Sequence, residues 1–182
     1  MKKISLGLIA IFAFSISAIA QDINWLTMEE ALELQKKAPK KIFMDVYTNW
    51  CGPCKMLDKN TFQTKDVAAY INEHYYAVKF NAEGDEEITY KEKTYTNPNY
   101  DESKANRRNS AHEFSRFLQI RAYPTMVFFD EEGNVIAPIQ GYLKPQQLEL
   151  YLKIFKTDKY KDMTTQEEFS EYVKTFEAEF EE

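Results

Sequence analysis

Cysteine is nearly missing from this chain: 182 residues contain only Cys51 and Cys54. Two cysteines three positions apart cannot staple a small fold, so a disulfide scaffold is excluded. Histidine is as scarce, and His74 and His112 lack the spacing of metal ligands, so no metal and no cofactor is expected. Basic residues are outnumbered, 23 against 29 acidic, for a net charge of −6. That balance argues against nucleic acid or an anionic membrane surface as a partner. Long apolar runs are also lacking beyond Ile4 to Ile19, which falls short of the roughly 20 residues of a spanning helix. With Lys2 and Lys3 before it and Ala18-Ile19-Ala20 at its end, this run reads as a signal peptide cleaved after Ala20, in preference to an uncleaved anchor. No cysteine follows it, which removes lipoprotein attachment. Cleavage would take Lys2 and Lys3 with it, leaving 21 basic against 29 acidic residues, a net of −8. Export to the periplasm would place the two cysteines where disulfides form and persist.

What is present is an aromatic-rich chain, 15% Phe, Trp and Tyr, which excludes a disordered one. Thr27-Met28-Glu29-Glu30 fits a capping box, opening a helix to about Lys37 that turns Met28, Ala31, Leu32 and Gln35 inward, with Trp25 or Leu26 stapling its start. Lys41 to Tyr47 reads as a central strand with Asp45 inside it, a carboxylate that must be paired or used. Trp50-Cys51-Gly52-Pro53-Cys54-Lys55 follows. Beyond it, Met56, Leu57, Phe62, Val67, Ala68, Tyr70 and Ile71 mark two helical stretches interrupted at Thr61 to Lys65. Tyr75 to Asn81 is a second strand carrying Lys79. Residues 82–109 read as an insertion outside the core, with Arg107-Arg108 on a solvated face. Ser110-Ala111-His112-Glu113 suggests a second capping box, for a short helix whose Phe114, Phe117 and Leu118 face the core. A strand from Met126 to Phe129, a turn at Asp130 to Asn134 and a strand from Val135 to Ile139 form an antiparallel pair. Pro145 to Phe155 is an amphipathic helix, and Thr164 to Glu182 an acidic one with Phe169, Tyr172, Val173, Phe176 and Phe180 along one side. That last stripe either packs on its own domain or makes a partner face, with a homodimer as one outcome. A Cys-x-x-Cys between a strand and a helix, in an alternating β/α pattern, points to a thiol–disulfide redox site.

These pieces resemble the thioredoxin superfamily from roughly Lys41 to Phe155. Phe43 to Lys55 matches its active-site strand and turn, Tyr123-Pro124-Thr125 its cis-proline loop, Gly141-Tyr142-Leu143 its substrate-groove glycine, and Lys79-Phe80-Asn81 its lysine-bearing strand. Exported thioredoxin-like proteins, and the C-terminal domain of the transmembrane reductant conductor of the Dsb system, are similar. The resemblance implies an α/β fold, a central mixed sheet flanked by helices, over residues 21–156, with the C-terminal helix from 157 to 182 as an extension. Lys59 stands where typical members carry a helix-kinking proline, and Gln119 where they carry a glycine.

The implied chemistry has Cys51 as an exposed nucleophile at a helix N-terminus and Cys54, more buried, as the resolving thiol. A resting structural disulfide and a zinc site are the blander readings. Asp45 is the expected proton acceptor for Cys54, paired with Lys79, against a purely structural ion pair. Trp50, Tyr123, Pro124, Thr125, Gly141 and Tyr142 make the expected substrate-binding set, core packing being the alternative for Trp50 and Tyr142. With no histidine between the cysteines, a protein-disulfide reductase is expected, re-reduced by a membrane electron donor and acting on disulfide-containing proteins. The alternatives are an oxidase or isomerase, or a non-catalytic binding module.

Overall fold

A computed structural model of the protein describes residues 22–181, so the signal-peptide reading of residues 1–20 lies outside the described residues. Five strands form one sheet in the order β1-β3-β2-β6-β7: β1 is Trp25–Leu26, β2 Lys41–Tyr47, β3 Tyr75–Asn81, β6 Thr125–Phe129 and β7 Val135–Gln140. β2 runs parallel to β3 and antiparallel to β6. The apolar density of β2 follows from that central place, since both its faces are covered. Alternation sends Phe43 and Asp45 to one face and Ile42, Met44 and Val46 to the other.

Two cores result. Phe43, Phe62 and Phe128 pack with Val67, Ala68 and Ile71 of α3 (Lys65–His74) and with Leu148, Leu152 and Phe155 of α5 (Pro145–Lys156). On the opposite face, Met44, Val46, Phe80 and Phe129 pack with Met28 and Ala31 of α1 (Met28–Lys37) and Phe114 of α4 (Glu113–Phe117). The first capping box forms: the Thr27 N–H donates to Glu30 Oε2 at 2.8 Å and the Glu30 N–H to Thr27 Oγ1 at 3.2 Å. Trp25 and Leu26 extend the sheet beside β3 as an edge strand.

Four expectations are corrected. Residues 82–109 do not lie outside the core. Ile88–Tyr90 (β4) and Lys93–Tyr95 (β5) form a hairpin that buries Ile88, Tyr90 and Tyr95 against Phe114. Its turn places Lys91 at φ 49° and Glu92 at φ 62°, the left-handed pair such a turn requires, without glycine. The cap of α4 is His112, whose Nδ1 accepts from the Phe114 N–H at 3.0 Å, because the Ser110 hydroxyl is taken by Asn97 Oδ1. Phe117, expected to face the core, is 45% exposed. The last helix (α6) covers only Gln166–Thr175. Beyond it the Glu179 and Phe180 N–H groups donate to the buried Glu149 carboxylate at 2.8 and 2.9 Å, which diverts them from a helical ladder. The stripe of Phe169, Tyr172, Phe176 and Phe180 packs on the chain's own domain. Among the described residues, no helix is long and apolar enough to cross a membrane.

Candidate active site

β2 ends at Tyr47, and the Thr48 carbonyl accepts the Cys51 N–H at 3.1 Å, turning the chain into α2 (Gly52–Leu57). Cys51 is the N-cap, its Sγ accepting the Cys54 N–H at 3.1 Å. Pro53, in the first turn, has no N–H to leave unsatisfied and a backbone already suited to a helix start. At Lys59, where typical thioredoxins have a proline, the helix instead widens into a π-type turn, Asp58–Phe62. The Thr61 hydroxyl there donates to the Leu143 carbonyl at 2.6 Å. Cys51 and Cys54 are joined in a disulfide. In this oxidised form Cys51 is 2% and Cys54 6% exposed, so the expected order of exposure is not seen: Cys51 sits at the bottom of a groove, under aromatic walls.

That groove encloses about 630 Å³ and is lined by Trp50, Cys51, Glu83, Arg108, Arg121 and Tyr123 among others. Trp50 and Tyr123 meet edge to face at 6.0 Å. The Trp50 indole N–H donates to Glu83 Oε2 at 2.7 Å, and the Asn109 N–H donates to the same oxygen at 2.8 Å. Arg108, read from sequence as part of a solvated face, is exposed but stacks over the Trp50 ring at 5.0 Å. Burial and the neighbouring Glu83 push the Tyr123 phenol up to about 12. The Tyr123–Pro124 bond is cis. Behind it, the Thr125 hydroxyl donates to the Ala122 carbonyl at 2.8 Å, and the Gly141 N–H, at φ 100°, to the Pro124 carbonyl at 2.9 Å. Of the expected substrate set, Trp50 and Tyr123 line the groove, Pro124, Thr125 and Gly141 shape the loop behind it, and Tyr142 packs on the core.

The opposite side of the disulfide faces a second cavity of about 430 Å³, lined by Cys54, Asp45, Thr48, Asp58 and Lys79 among others. Asp45 is 2% exposed. Burial pushes its carboxyl up to about 7, Lys79 pulling it back and Asp58 pushing it further. Lys79 lies opposite Asp45 in the β2–β3 register but does not pair with it. Its ammonium reaches Asp58 at 2.5 Å instead, and passes over the Trp25 and Tyr47 rings. The expected Asp45–Lys79 ion pair is therefore replaced by Lys79–Asp58. The amine stays at the half-exposed margin, where water still hydrates it, rather than entering the core. Asp45 Oδ1 and Thr48 Oγ1 are buried without a protein partner and both residues line this cavity. It is polar and roomy enough for water to bridge them. Asp58, Thr48 and Glu83 escape sequence reasoning because nothing local distinguishes them from ordinary helix and loop residues. Among the described residues, no three His, Cys, Asp or Glu side chains converge as a metal site requires.

The strand order and the placing of the disulfide at the end of the central strand are those of the thioredoxin fold, on a site built for thiol–disulfide exchange. The chain belongs to the thioredoxin-like domain family, whose model matches residues 28–156. It is similar to the thiol:disulfide interchange protein DsbD of Pectobacterium atrosepticum, 26% identical over 121 residues, covering 65% of this chain and 17% of that protein. A thioredoxin of Mycoplasmoides gallisepticum is 27% identical over 128 residues, covering 70% of this chain and 97% of that one. A thioredoxin-fold protein from Helicobacter pylori superposes with a TM-score of 0.56 at 20% identity, over 75% of this chain and 81% of that one. This chain thus spans about a sixth of the length of the DsbD protein it matches.

Proposed function

We propose that the protein is a periplasmic disulfide reductase, exported by its first twenty residues and recharged by a membrane electron donor. The Cys51 thiolate attacks one sulfur of a substrate disulfide, the substrate S–S bond breaks, and the freed sulfur leaves as a thiolate that takes a proton from solvent. Cys54 then loses its proton through cavity water to Asp45 and attacks Cys51 Sγ. The mixed disulfide breaks, the second substrate sulfur leaves and takes up a proton, and Cys51–Cys54 is oxidised. Two electrons and two protons have passed to the substrate.

The observation that carries this reading is the placing of the two sulfurs: Cys51 accepts a backbone N–H and lines the open groove, while Cys54 lines the cavity of the buried carboxylate. The direction rests on Gly52-Pro53, which adds no cation between the cysteines to stabilise the thiolate, so the disulfide is the favoured state and the dithiol a reductant. The interchange activity named for the DsbD relative is in keeping with this. Insulin reduction with a dithiol donor, together with a redox titration against glutathione, tests it. Turbidity from precipitating insulin B chain and a potential near about −270 mV are expected. A potential near about −120 mV, that of a strong oxidant, would reverse the assignment.

A further inference from the structure

The groove beside Cys51 is electropositive on a protein that is otherwise acidic. Arg108 and Arg121 both line it, both are exposed, and among the described residues neither forms an ion pair with a carboxylate. The one acid lining the groove among the described residues, Glu83, accepts the Trp50 indole N–H and the Asn109 N–H, and the two arginines outnumber it. Arg108 is held over the indole face rather than free to sweep through solvent, and that indole forms an edge-to-face pair with Tyr123, next to the cis-proline loop. Two unpaired guanidinium groups therefore flank the path to the reacting sulfur in a chain of net charge −6. Elsewhere the protein's field repels acidic polypeptides, so a pair of bare cations here has its largest effect on what enters this groove.

We infer that Arg108 and Arg121 select substrate segments carrying acidic residues next to the disulfide cysteine, the carboxylates seating on the two guanidinium groups while the cysteine reaches Cys51. Guanidinium offers a planar fork that matches a carboxylate in two bonds, which a lysine in either place would not. Much of the wall that carries the selection belongs to the segment between β3 and α4, which supplies Glu83, Arg108 and Asn109. The choice of substrate is thus set largely by that insertion, while Cys51 and Cys54 supply the chemistry. This inference rests on the reductase reading.

The test uses three peptides, each closed by one intramolecular disulfide and differing only in the residues beside the cysteines: Glu, Ser or Lys. Each is mixed with the pre-reduced full-length protein, and the second-order rate constant of peptide reduction is read by quench and chromatography at low salt. The Glu peptide should react about tenfold faster than the Lys peptide, the Ser peptide falling between, because two exposed charges act together at short range. In 0.5 M NaCl the spread should shrink to about twofold, as screening requires. R108Q/R121Q should narrow the Glu-to-Lys ratio, and R108E/R121E should invert it. Inversion separates recognition from a mere effect on Cys51 reactivity, which would change all three rates by one factor. Equal reduction of the three peptides by the wild-type protein overturns the selectivity and leaves the reductase reading standing. If none of the three is reduced, the reductase reading falls and the selectivity falls with it.

Discussion

Asp45→Asn is the most informative single substitution at the site, because it separates what the buried carboxyl does to stability from what it does to chemistry. The Asp45 pKa stands at about 7 against an unperturbed 3.8, and at about 1.4 kcal/mol per unit this is a cost of about 4 kcal/mol for keeping the ionised group folded. The folded-state pKa is raised, so the stabilising contribution of the protonated group is fully present below 3.8 and is lost as pH rises through about 7. Integrating the linkage between those two values gives about 2 kcal/mol lost by pH 5 and about 4 kcal/mol by pH 8.5. Asparagine does not titrate. The stability difference between variant and wild type should therefore grow in the variant's favour by about 2–3 kcal/mol from pH 5 to pH 8.5. Any fixed cost of the new amide, such as an unmet hydrogen bond, cancels in that comparison.

Urea denaturation of both oxidised proteins at the two pH values measures it, and thermal melts should diverge by about 5–10 °C over the same range. A gap that stays constant within about 0.5 kcal/mol would refute the account of Asp45 as a carboxyl pushed up by burial. The chemistry moves the other way. With no base behind Cys54, release of substrate from the mixed disulfide should slow by about 100-fold, in the same variant that gains stability at alkaline pH.

Cys54→Ala removes the resolving sulfur and should leave substrates trapped on Cys51 as mixed disulfides, seen as reductant-sensitive bands on gels; no such bands from cells expressing it would count against Cys51 as nucleophile. In the reduced protein, Cys51 should alkylate with iodoacetamide before Cys54, since its sulfur accepts a backbone N–H in the open groove while Cys54 lines the cavity of a carboxylate; peptide mapping after partial labelling reads the order. Glu149→Gln weakens two charge-assisted bonds to the Glu179 and Phe180 N–H groups. Hydrogen exchange at those two amides should quicken by about 10- to 100-fold, with disulfide reduction unaltered.

The fold was legible where its signals are local. The capping box at Thr27, the buried strand at Lys41–Tyr47, the hairpin turn at Asp130–Asn134 and the Cys51–Cys54 turn each carry their own chemistry in consecutive residues. The cis bond at Pro124 followed from family resemblance, not from any local pattern. What escaped depends on partners far along the chain. Nothing in Lys91-Glu92 announces a left-handed hairpin turn, because tertiary packing of Tyr90 and Tyr95 on Phe114 imposes a conformation that local preference disfavours. Ser110 looks like a cap until Asn97 claims its hydroxyl. Asp45 and Lys79 looked like a pair because the strands do bring them level. Whether two level side chains touch depends on which can keep its charge hydrated, and Asp58, a turn beyond Cys54, offered Lys79 a wetter partner.

The two sulfurs meet differently charged surroundings: Arg108 and Arg121 outnumber Glu83 in the groove at Cys51, while the cavity at Cys54 sets Asp45 and Asp58 against Lys55 and Lys79. Two residues separate the cysteines, and Cys51 lines the groove beside Trp50 while Cys54 lines the inner cavity. On the outer side the Cys54 N–H favours electron-rich sulfur at Cys51, which is what an attacking atom needs. A buried carboxylate on the inner side disfavours it at Cys54 until that carboxylate takes the proton itself. On the proposed reading, attack starts at Cys51 and resolution draws on Asp45 as proton acceptor. Lys79 would serve this arrangement poorly as a direct partner of Asp45, because a tight ion pair would hold the carboxyl ionised and too weakly basic to accept a thiol proton. Held at a distance on Asp58, it tempers the carboxyl without quenching it.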